Sequence, residues 1–113
     1  MRILILEDEP MIAIDLEDIV HDASGEAECT LATTVQAGVL SVEDGVDFAI
    51  LDIHIGYDGK TSYPVASMLQ ARGIPFCFVS SSDKARPYRY GNVPFVAKPY
   101  QPQEIARVLP RAA

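Results

Sequence analysis

Ile3-Leu4-Ile5-Leu6-Glu7-Asp8-Glu9-Pro10 runs an apolar segment directly into carboxylates, and Phe48-Ala49-Ile50-Leu51-Asp52 repeats the arrangement with a single acid. Short apolar runs of this kind read as strands buried on both faces, the condition of a parallel sheet covered by helices. If the two strands are parallel neighbours, their carboxyl ends bring Glu7, Asp8 and Asp52 into one pocket, and such a cluster does not stay ionised without a cation. A divalent ion that prefers oxygen ligands, Mg²⁺ first among them, offsets the repulsion and leaves positions open for phosphate oxygens.

The rest of the chain repeats the strand-helix alternation. Strands are expected at about 2–6, 27–31, 47–51, 75–79 and 93–96, and helices at about 10–22, 34–41, 62–72 and 101–110. A β-α repeat needs right-handed crossovers and a parallel sheet with helices on both sides. In the first helix Met11, Ile12, Leu16, Ile19 and Val20 form the face turned to the sheet, and Pro10 suits its first turn. Gly73 is expected as a left-handed cap ending the third helix, ahead of Pro75 at a strand start. The pattern fails between Ser81 and Asn92, where Pro87 and Gly91 interrupt a segment with Lys84, Arg86, Tyr88, Arg89 and Tyr90 and no apolar stripe. At most one or two loose turns are expected there, and the basic and aromatic side chains suit either a solvated loop or a docking loop for a partner.

A length of 113 residues fits one domain, and 49% hydrophobic content suffices for a single core. No apolar stretch is long enough to cross a membrane and no signal-peptide pattern opens the chain, so a cytoplasmic protein is expected. Nine basic against sixteen acidic side chains, a net charge of −7, oppose sequence-independent nucleic-acid binding. Cys29 and Cys77 lack metal or disulfide spacing and read as two reduced thiols. His21 reads as a cap on the carboxyl end of the first helix, and His54 as a residue of the pocket mouth.

Ligands of an open parallel sheet bind beyond the carboxyl ends of its strands, which here offer Glu7, Asp8, Asp52, Ser80 and Lys98. Singly, each has a plain structural role: acidic residues as helix caps or turns, Ser80 bonded to backbone, Lys98 solvated. Together they make a phosphoryl-transfer set of carboxylate nucleophile, acidic metal ligands, hydroxyl and ammonium.

These motifs, ILEDEP at 5–10, ILDIHI at 50–55, PFCFVS at 75–80 and VPFVAKPY at 93–100, resemble in order and spacing the receiver domains of two-component response regulators, over essentially the whole chain. The resemblance implies a doubly wound five-stranded sheet in the flavodoxin-like order 2-1-3-4-5. It makes Asp52 the phosphoacceptor, with Glu7, Asp8, Asp52 and the His54 main-chain carbonyl as Mg²⁺ ligands. Ser80 and Lys98 would bind phosphoryl oxygens, and Phe95 falls at the switch-aromatic position. Gly56-Tyr57-Asp58-Gly59, Tyr63-Pro64-Val65-Ala66 and Gly73-Ile74-Pro75-Phe76 look like the alphaproteobacterial single-domain receivers called the FAT GUY group, whose fourth helix is short or degraded. That group's Phe-Ala-Thr-Gly reads Phe78-Val79-Ser80-Ser81 here.

The implied function is that of a stand-alone response regulator catalysing only its own phosphorylation and dephosphorylation. Its partners would be a sensor histidine kinase and a histidine phosphotransferase or downstream regulator, with no nucleic acid and no membrane. An aspartyl-phosphate phosphohydrolase is the competing enzyme reading, but such enzymes carry a DxD after the first strand, where this chain has Glu7-Asp8-Glu9. A pseudo-receiver acting only by binding is a third reading, opposed by the intact set of Asp52, Ser80 and Lys98.

Overall fold

The computed structural model describes residues 1–56, 58–81 and 88–110. Strands β1 (Arg2–Leu6), β2 (Glu28–Ala32), β3 (Phe48–Leu51), β4 (Phe76–Ser80) and β5 (Phe95–Ala97) alternate with helices α1 (Pro10–Ala23), α2 (Val35–Asp44), α3 (Tyr63–Ala71) and α4 (Pro102–Val108). The strands form one sheet in the order β2-β1-β3-β4-β5, and every neighbouring pair is parallel. Chain order reverses beside β1, so the ends of β1 and β3 flank the crevice where ligands of such sheets bind.

The two-residue period of the strands divides the core into two layers. Leu4, Leu6, Ala49, Leu51, Phe76 and Phe78 face α2 and α3, while Ile3, Ile5, Phe48, Ile50, Cys77 and Val79 face α1 and α4. Each strand of the central trio is thus buried on both sides, which accounts for its unbroken apolar run.

α1 meets the sheet through Ala13, Leu16, Ile19 and Val20. Met11, expected on that face, is 81% exposed. It lies one turn before Ile14, itself half exposed, so the first turn directs it to solvent. The Thr34 side chain caps α2 by accepting from the Ala37 N–H, and Gly73 (φ 68°) follows α3 in the left-handed region. Gly38 on α2 was not singled out by its sequence context, yet a Cβ there would lie 3.2 Å from Leu6 and from Val65. Its bare backbone lets α2 approach β1 and α3.

Between β4 and β5 the described residues form only a 3₁₀ turn, Tyr88–Tyr90. Lys84, Arg86 and Pro87 lie outside the described residues, as does Tyr57. Tyr88 is fully exposed, as a solvated or docking loop requires, but Tyr90 is fully buried and belongs to neither. Its ring meets Tyr63, Phe76 and Phe78 at centroid distances of 5.6, 6.3 and 5.6 Å, and its hydroxyl shares a 2.9 Å hydrogen bond with Ser67. Among the described residues of this segment, one large aromatic reaches the core.

Candidate functional site

Backbone pairing carries each polar group to the same rim. The Asp52 N–H donates to the Leu6 carbonyl (2.9 Å), extending the β1–β3 ladder by one residue and setting Asp52 beside Glu7. The Lys98 N–H donates to the Ser80 carbonyl (2.9 Å), setting Lys98 at the carboxyl end of β4. Asp8, Asp52, His54, Ser80 and Lys98 line a cavity of about 560 Å³ with Glu9, Pro10, Ile12, Gly56 and Ser81. Glu7 is buried beneath it at 1% exposure.

Lys98 binds the cluster from within. Its ammonium donates to Glu7 Oε1 at 2.6 Å and to Asp52 Oδ2 at 3.2 Å. Glu7 Oε2 also accepts from the Glu9 N–H (3.1 Å), and Asp8 Oδ2 accepts from the Gly56 N–H (2.9 Å). Asp8 is therefore tied to the loop after β3 rather than capping α1, where Glu9 holds the cap position without a side-chain bond. Burial pushes the Glu7 carboxyl up to about 7, the Asp52 charge adds to the rise, and the Lys98 hydrogen bond opposes it. For Lys98 burial alone would favour the neutral amine, but the hydrogen bond to Glu7 and the charges of Asp52 and Glu7 outweigh it and raise its pKa.

One oxygen from each of Glu7, Asp8 and Asp52 lies within 4.8 Å of the others. Among the described residues these three carboxylates face one nearby ammonium, and the donors are all oxygen, which fits a hard divalent ion such as Mg²⁺. A Glu7 carboxyl already held to a high pKa by burial shows how poorly the pocket tolerates its own charge.

The residues expected to act together are together: Asp8, Asp52, Ser80 and Lys98 share the cavity, and Glu7 joins it through Lys98. Ser80 is buried at the end of β4, and its hydroxyl bonds no described residue. His54 is exposed at the mouth, bridged to Thr61. Phe95 stands apart from the rim, half-buried against the α2–α3 layer. Nothing in the residue pattern marks the Gly56 N–H as the partner of Asp8, since only the turn of the loop brings it there. The Tyr100 hydroxyl, donating to Asp15 at 2.8 Å, likewise joins the start of α4 to α1 unforeseen.

No family model matches the chain. It is similar to SdrG from Sphingomonas melonis Fr1, a solution structure, with 38% identity and a TM-score of 0.81 over 96% of this chain and 92% of that one. It is also 32% identical, over 121 aligned positions, to the phyllosphere-induced regulator PhyR of Methylorubrum extorquens. That match takes in 98% of this chain but spans only 43% of the PhyR sequence. The response-regulator REC domain of Erythrobacter litoralis PhyR shares the fold, with a TM-score of 0.77 at 23% identity over 99% of this chain and 95% of that one. The near full-length match to SdrG, on a sheet of this order, makes the chain a member of the receiver-domain family of response regulators.

Proposed function

We propose that the chain accepts a phosphoryl group from a histidine kinase onto Asp52. The observation carrying this reading is the Asp52 carboxylate itself, open to the cavity while its neighbour Lys98 holds a cation 3.2 Å away. In the proposed step an Asp52 oxygen attacks phosphorus in line, the P–N bond to the donor imidazole breaks, and its electron pair leaves with the imidazole nitrogen. Lys98 trades its contact with Asp52 for one with a phosphoryl oxygen as negative charge spreads there. The Ser80 hydroxyl donates to a second oxygen. Glu7, Asp8, Asp52 and the His54 carbonyl would hold Mg²⁺, which when bound neutralises the charge of phosphoryl group and carboxylates alike. Phe95 is the candidate to move with the phosphorylated state, since it packs on the side of the core next to β4 and β5.

The phosphorylated receiver domain would pass its signal through contact with a partner protein. Phosphotransfer profiling tests the reading: radiolabelled histidine kinases of the host are mixed with the chain, with and without EDTA. Rapid, EDTA-sensitive movement of label from one kinase to the chain is expected. No transfer from any of them would contradict it.

A further inference from the structure

Glu17, His21 and Cys29 converge at the edge of the sheet, away from the carboxylate pocket. Their ligand atoms, a carboxylate oxygen, an imidazole nitrogen and a thiol sulfur, all lie within 4.8 Å of one another. Glu17 and His21 are four residues apart on α1, so they share one face of the helix. Cys29 lies on edge strand β2, paired with Ile3, and packs half-buried against the layer beneath α1. Among the described residues none of the three side chains makes a hydrogen bond or ion pair, although their polar atoms approach closely. Burial and the Glu17 charge both raise the thiol's pKa, so the cluster as it stands disfavours the thiolate.

We propose that Glu17, His21 and Cys29 bind a zinc ion. Mixed sulfur, nitrogen and oxygen donors suit Zn²⁺ and not Mg²⁺, so the two sites of the molecule divide by ligand hardness. Three protein ligands leave the fourth tetrahedral position to water or to a donor from a partner. The edge of a tetrahedral zinc site is about 3.5 Å, so rotation of the long Glu17 side chain and the exposed His21 ring has at most about 1.3 Å to close. On binding, the Cys29 thiol releases its proton to water as the sulfur–zinc bond forms, and no electron changes hands. The ion would clip the later turns of α1 to the edge strand, roughly 10–16 Å along the helix from its N-terminus.

Titration of the full chain with Co²⁺ tests this, in excess Mg²⁺ to fill the carboxylate pocket and with a non-chelating phosphine reductant. One equivalent should produce thiolate-to-cobalt charge-transfer absorption and tetrahedral d–d bands, and Zn²⁺ should displace it. Cys29→Ser should abolish the charge-transfer band. His21→Ala, at an exposed position, should weaken Zn²⁺ binding by at least about tenfold, with circular dichroism confirming that the helix content is kept. Absence of the band in the parent chain, its persistence in Cys29→Ser, or unchanged Zn²⁺ affinity in His21→Ala would overturn the site.

Discussion

Lys98 serves the apo protein as well as any phosphorylated one, because its ammonium is the cation against which the buried Glu7 carboxylate is held. Truncating it to alanine strands that carboxylate, which must then take up a proton or stay charged in a dry site. Lys98→Ala should therefore destabilise the metal-free chain by about 1–3 kcal/mol in urea unfolding, with Mg²⁺ restoring part of the loss. Cys77 presents a simpler electrostatic case. Complete burial pushes its thiol up from 9.0 to about 12. Because the folded value lies above the unfolded one, the protonated thiol's contribution to stability is complete below pH 9.0 and is lost as pH rises through about 12. Alkaline unfolding should thus be blunted in Cys77→Val, and Cys77 should resist thiol reagents at pH 8 until the chain unfolds.

At the scale of elements, alternation of apolar runs with amphipathic segments places the strands and helices of the described residues to within a few residues, most clearly the central β1, β3 and β4, whose burial on both faces leaves almost no polar position. The shared rim was legible for the same reason, because strand ends fix where Glu7, Asp52, Ser80 and Lys98 emerge. Contacts that depend on how elements approach were not legible. Met11 fits the periodic stripe but lies in a first turn that faces water, Gly38 matters only because α2 comes close to Leu6 and Val65, and Tyr90 sends one ring into the core from a segment with no apolar stripe. The Tyr90 anchor should show a graded response in thermal or urea unfolding. Tyr90→Phe loses the Ser67 hydrogen bond and should cost about 1 kcal/mol, whereas Tyr90→Ala opens a cavity among Tyr63, Phe76 and Phe78 and should cost about 3–5 kcal/mol.

The molecule as a whole is a sheet whose covering helices bury the central strands on both faces and leave the carboxylate pocket to one rim. No helix among the described residues is long and apolar enough to cross a membrane. Gathering of Glu7, Asp8 and Asp52 exists only in the folded chain, so Mg²⁺ should raise the melting temperature, and Asp8→Ala should remove most of that rise. A melting temperature indifferent to millimolar Mg²⁺ would speak against an ion in this pocket. The central claim, that Asp52 is the phosphoacceptor, is tested most directly by intact-mass measurement of the chain after incubation with acetyl phosphate and Mg²⁺. One hydroxylamine-labile phosphoryl group is expected on the parent chain and none on Asp52→Asn, whose fold is preserved because the substitution keeps volume and removes a negative charge from an acidic pocket. Equal labelling of both chains, or no labelling of the parent, would contradict the account.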